Sequence, residues 1–149
     1  MVHDPATYHF EPGKGDVLMD GSDVTIVTTG MMAETAIQAA AVMDIRGLST
    51  RIINIHTVKP LDRAIIKKAA AETGAIVVLE EHNIIGGLGS AVAECVSETC
   101  PCPVFRVGVK DVFGRSGKVP PLLDAYGLNP ETVVEKVQSA LRLKTAMKG

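Results

Sequence analysis

From Asp23 onward, short apolar runs alternate with segments of helical period, and this alternation restricts the chain to repeated β-α units around a mostly parallel sheet. Residues 24–29 read as a first buried strand. Residues 31–46 read as a helix with Ala33, Ala36, Ile37, Ala40 and Ala41 on a small-residue face, capped at its carboxyl end by Gly47. Residues 50–55 are β-branched and apolar and give a second strand; Asp62 then caps a helix that carries Ile65, Ile66, Ala69 and Ala70 on one face and stops at Gly74. Residues 75–79 form a third strand, followed by a polar segment at 80–83, a glycine-rich turn, and a helix over 88–98 whose inner face is Leu88, Ala91, Val92, Cys95 and Val96. A fourth strand at 104–109 leads through a loop to a short helix ending near Tyr126 and Gly127. Asn129 and Pro130 then open a last helix with Val133, Val134, Val137 and Leu141 as its stripe, and the tail beyond Leu143 is expected to fray.

The 149 residues fit one domain, divided into an irregular arm at 1–15 and a folded unit at 16–149. A net charge of -2, with 21 % charged residues, gives no basic footprint for nucleic acid and no cationic face for a membrane surface. The start lacks the basic and apolar regions of a secretory signal, so a cytoplasmic protein is expected. No apolar run reaches the ~18 residues of a membrane span. Cys95, Cys100 and Cys102 are odd in number and lack paired metal spacing, so thiols are expected rather than a disulfide or zinc site.

Two segments sit where α/β folds place ligands. The first, from Glu80, Glu81 and His82 through Ile84 and Ile85 to Gly87 and Gly89, follows a strand and opens a helix. Its glycines match neither a dinucleotide fingerprint nor a phosphate loop, and its paired carboxylates would repel a phosphate. The structural reading gives the glycines to a tight turn and points Glu80 and Glu81 at a domain or subunit surface; the chemical reading makes His82 a general base, although nothing nearby completes a nucleophilic set. The second segment is Thr28, Thr29 and Gly30, where a helix N-terminus could hold an anion, or where a threonine simply caps the helix. Ile84 and Ile85, adjacent and apolar in a loop, point to burial against another subunit or domain. The connection from His56 to Asp62 has structural chemistry, and His3 and His9 lie in the arm.

Asp-Val-Thr-Ile-Val-Thr-Thr-Gly at 23–30, Lys-Pro-Leu-Asp at 59–62, Glu-Glu-His before Gly-Gly-Leu-Gly at 80–89, and Phe-Gly-x-Ser-Gly at 113–117 together resemble the transketolase carboxy-terminal domain. The resemblance runs from about 11 to 143, and is nearest to the split, two-subunit transketolases. It implies a three-layer α/β/α fold with a mostly parallel five-stranded sheet, residues 16–19 supplying one antiparallel edge strand. Such enzymes transfer two-carbon ketol units between sugar phosphates, using thiamine diphosphate and Mg²⁺ held by amino-terminal and middle domains that have no counterpart here. The resemblance therefore implies no catalytic, cofactor or metal residue in this chain. It implies a homodimer, partner domains supplied in cis or trans, and a packing or regulatory role. Similar domains occur in 1-deoxyxylulose-5-phosphate synthase and in the β subunit of 2-oxoacid dehydrogenase E1. A free-standing small-ligand-binding module is a further alternative, whereas a phosphoryl-accepting receiver lacks its acidic residues at the strand ends.

Overall fold

The computed structural model of the protein describes residues 8–147 and 149. Residues 8–14 hold no helix or strand, and His3 lies outside the described residues. The elements then run β1 (Gly15–Met19), β2 (Val24–Thr28), α1 (Met32–Ile45), β3 (Thr50–Ile55), α2 (Arg63–Thr73), β4 (Ile76–Asn83), α3 (Leu88–Thr99), β5 (Val104–Val109), α4 (Val119–Ala125) and α5 (Pro130–Ala146). The sheet order is β1-β3-β2-β4-β5. Only β1 is antiparallel, pairing with β3 from Gly15 opposite Ile55. This is the three-layer, mixed-sheet architecture that the resemblance implies.

Strand alternation sorts the core into two halves. Val24, Ile26, Ile52, Val77 and Leu79 face α1 and α5, while Val27, Ile53, Ile55, Ile76 and Val78 face α2 and α3. Each such side chain, fully removed from water, contributes about 1.5–3 kcal/mol. Central β2 and β4 are apolar on both faces, as strands covered by helices on both sides must be. Thr25 and Thr28 are the polar exceptions in β2; the Thr25 hydroxyl lies 2.8 Å from that of Thr73, which in turn donates to the Ala69 carbonyl, so that buried pair is satisfied. Cys95 is fully buried in the second half of the core, the packing position expected of it.

Local chemistry sets most boundaries. Asp62 Oδ1 accepts from the Ile65 N–H and Asn129 Oδ1 from the Thr132 N–H, so α2 and α5 start where their caps predict. Gly74 closes α2 at φ 65, a left-handed conformation that costs glycine little. In α1 the buried face is Met32, Ala33, Ala36, Ala39, Ala40 and Met43; Ala41, expected inside, is exposed, because a run of alanines gives no size contrast to fix the helix's rotation. Helix α5 continues to Ala146, past the point where fraying was expected, and Lys144 anchors that last turn by donating to the Asp23 carbonyl.

Candidate functional site

The carboxyl ends of β2, β3, β4 and β5 open onto one rim of the domain, and each of the four sequence motifs reaches or lies on a connection leaving it. The polar segment at 80–83 is not loop. It extends β4 to Asn83, with an irregularity between Leu79 and Asn83 where β4 carries more residues than β5.

Alternation along β4 puts Ile76, Val78 and Glu80 on the face covered by α3. Glu80 is only 2 % exposed, so the expectation that it points to a surface is corrected; Glu81 is exposed as expected, and His82 is exposed too. The Glu80 carboxylate accepts from the Leu88 N–H at 2.7 Å (Oε2) and from the Gly89 N–H at 2.8 Å (Oε1). Both oxygens thus satisfy the first free donors of α3 and place negative charge at the positive end of its dipole. Gly87 and Gly89 leave room for it: a Cβ on Gly87 would collide with Glu80 Oε2 and lie 2.7 Å from the Asn83 carbonyl, and one on Gly89 would lie 3.1 Å from Glu80 Oε1. The N-terminus of α3 is thus occupied by the chain's own carboxylate. Arg106 completes the corner, donating to the Ile84 carbonyl at 2.7 Å while its stem lies across Gly89.

The two isoleucines part company. Ile84 donates its N–H to the Val109 carbonyl and lies over Gly108, whereas Ile85 is 65 % exposed. The docking role expected of the pair thus rests on Ile85, because pairing with β5 draws Ile84 onto the domain.

At the end of β2 neither threonine caps α1. The cap position is Met31, and no side chain accepts a hydrogen bond there; Met32 and Ala33 N–H groups instead reach the Thr29 and Gly30 carbonyls at 3.3 Å. Thr28 is fully buried with Oγ1 unpaired, in register with Asn54 of β3, which is in turn opposite Asp16 of β1. Asn54 Oδ1, Asp16 Oδ2 and His56 Nε2 also lack a hydrogen bond, although the last two approach at 3.5 Å. Phe10 packs on His56 with ring centroids 4.6 Å apart and the rings tilted by 50°, Gly13 donates to Thr57 Oγ1, and Gly15 donates to Asp62 Oδ2. Residues 10–15 of the arm are therefore pinned to the β3-α2 connection. Nothing in the sequence alone pairs Phe10 with His56, because the contact spans 46 positions of chain.

Among the described residues there is no group of three or more His, Cys, Asp or Glu side chains able to hold a metal. No helix of the described residues is long and apolar enough to cross a membrane. Burial pushes the Cys102 thiol up to about 11 from 9.0, with Cys100 beside it adding to the effect. Because the folded value lies above the unfolded one, ionisation lowers stability as pH rises through the window from about 9 to about 11. Alkylation of Cys102 should accordingly be slow at pH 8 and accelerate through that window; rapid labelling of Cys102 at pH 8, read by peptide mass, would contradict this.

The molecule is thus a three-layer domain with a mixed five-stranded sheet, in which the α3 terminus at the carboxyl edge is closed by the chain's own glutamate. The sequence profile of the family "Transketolase, C-terminal domain" matches residues 13–133, and the chain belongs to that family. It is 42 % identical over 135 residues to the 6-deoxy-6-sulfo-D-fructose transketolase subunit SqwH of Clostridium sp. (strain MSTE9), covering 91 % of this chain and 42 % of that subunit. It is 43 % identical over 122 residues to the 1-deoxy-D-xylulose-5-phosphate synthase of Heliobacterium modesticaldum, covering 81 % of this chain and 19 % of the enzyme. Among solved structures it resembles a split gene transketolase, described as an inactive β4 tetramer, with TM-score 0.92 and 49 % identity over 97 % of this chain and 47 % of that one. The chain thus spans less than half the length of these relatives.

Proposed function

We propose that the protein is the carboxy-terminal module of a split transketolase-like transferase that moves two-carbon ketol units between sugar phosphates. The observation that carries this reading is the match over nearly the whole chain to a split gene transketolase at 49 % identity. Deoxyxylulose phosphate synthases share the domain, but the structural match to a split gene transketolase at TM-score 0.92, and the coverage of 42 % rather than 19 % of the relative, favour the split enzymes.

In that assembly the module packs and orients. Thiamine diphosphate and Mg²⁺ do not fit this chain: no ligand cluster is found among the described residues, and the Glu80 carboxylate occupies the α3 terminus where a diphosphate would need free N–H groups. The cofactor belongs to the missing domains, which join in cis or trans in a dimeric, cytoplasmic enzyme. Ile85, with Glu81 and His82 beside it, gives the exposed loop a surface on which another unit can close.

Isothermal calorimetry of the purified chain with thiamine diphosphate and Mg²⁺ should show no binding in the micromolar range, and ketol transfer should require the remaining domains. Micromolar binding by the chain alone would refute the reading.

A further inference from the structure

Cys100 and Cys102 lie at the amino edge of the sheet, on the connection from α3 to β5 and at the opposite end of the domain from Glu80 and its loop. All three cysteines are free thiols, but their surroundings differ. Cys95 is closed off in the core, whereas Cys100 and Cys102 are half-buried and within reach of small reagents.

Backbone geometry sets these two thiols side by side. Cys100 ends α3, with its N–H bonded to the Val96 carbonyl, and at φ -149 and ψ 82 it turns the chain into the run that enters β5. Alternate side chains of an extended run share one face. Burial follows that rule: Pro101 is exposed, while Cys100 and Cys102 both pack against the half of the core that lies under α2 and α3. Two fully extended steps separate Cα atoms by about 6.6–7.2 Å. The ψ of Cys100 falls short of full extension, which draws the pair toward the separation of about 4.4–6.8 Å that a disulfide accepts. Electrostatics agrees with the geometry: burial pushes the Cys102 thiol up, a charge on Cys100 pushes it further, and Lys144 of α5 opposes both.

We propose that Cys100 and Cys102 form a reversible dithiol site that exchanges with low-molecular-weight disulfides and closes an intrachain bridge across Pro101. In the first step the Cys100 thiolate attacks one sulfur of the small disulfide, forming a mixed disulfide and releasing one small thiolate. Cys102 then gives its proton to solvent and attacks the Cys100 sulfur, forming the Cys100–Cys102 bond and expelling the second small thiolate. The two protein thiols are oxidised, the small disulfide is reduced to two thiols, and the two protons released by the protein balance the two thiolates. Cys100 leads because the thiolate is the nucleophile and Cys102 holds its proton up to about 11. A bridge that closes so short a loop adds little stability, so excess thiol reopens it. The site does not depend on the functional reading above. It places a redox-sensitive clasp where α3 hands the chain to β5.

The test exposes the unaltered chain to oxidised glutathione, unfolds it in excess N-ethylmaleimide, and reads intact mass and fragment sequence. The chain should take up one label, at Cys95, instead of three, with the mass of two hydrogens lost and the circular dichroism spectrum of the folded protein unchanged before unfolding. Dithiothreitol should restore all three labels. Closure should quicken by about 10-fold or more from pH 8 to pH 10, as Cys102 ionises. Cys102→Ser should stop at a glutathione adduct on Cys100, and Cys100→Ser should react about 10-fold more slowly than Cys102→Ser at pH 8. Should either variant unfold, the labelling pattern of the unaltered chain still decides. Three labels after prolonged exposure overturn the proposal, as does a glutathione adduct on the unaltered chain that never closes. A bridge to Cys95 or to a second chain, or closure only with loss of the folded spectrum, overturns it equally.

Discussion

Glu80→Ala should destabilise the domain by about 3 kcal/mol in urea unfolding. The carboxylate accepts two backbone N–H groups at residues that are themselves buried. Alanine would leave both donors without a partner and out of reach of water, at about 1–3 kcal/mol each, and would open a void beneath the first turn of α3. Glu80→Gln tests the cause. Its carbonyl oxygen can keep one of the two bonds, but its amide nitrogen faces a second donor, so an intermediate loss of about 1–2 kcal/mol is expected. If Glu80→Ala changes stability by less than about 0.5 kcal/mol, the level of an ordinary surface substitution, the carboxylate is not what holds α3 in place.

The same residue shows why parts of the fold were readable and parts were not. Asp62, Gly74, Asn129 and Pro130 were assigned from the sequence because a cap acts on atoms within four positions of itself. Glu80 needs partners eight and nine positions away, across a turn whose path the sequence does not state. One signal was nevertheless present. Ile76, Val78 and Glu80 continue a single alternation, and following it one step beyond the apolar run would have turned Glu80 inward, toward the gap left by Gly87 and Gly89.

One other element was hidden for a different reason. Strand β1 is a half-exposed edge strand of five residues, and Val17 and Met19 are open to solvent, so neither alternation nor an apolar run marks it; only the family resemblance placed it. Helix α4 was legible, as the short helix expected to end near Tyr126 and Gly127, although none of its residues is fully buried and Leu123 only half-buries itself against the core. Surface exposure was partly legible. Ile85 was singled out for being apolar in a loop, whereas Phe113 was read only as part of a motif, because exposure is a property of the whole fold.

Gly87→Ala should cost at least as much as losing the carboxylate, about 3 kcal/mol or more, and the loss should shrink when Glu80 is absent. The new methyl group would overlap Glu80 Oε2 and stand 2.7 Å from the Asn83 carbonyl oxygen. A side-chain oxygen can retreat only by giving up its bonds to α3, and a backbone carbonyl in the β4 terminus can hardly move. Backbone conformation is not the obstacle, because Gly87 sits at φ -87 and ψ -162, an extended geometry open to alanine. In a double-mutant cycle with Glu80→Ala, the overlap with the carboxylate vanishes while the carbonyl contact persists. The combined loss should therefore fall short of the sum of the single losses by about 1–2 kcal/mol. Additive losses would mean that the methyl group is accommodated without displacing the carboxylate, and that Gly87 is needed for the turn rather than for the seat of Glu80.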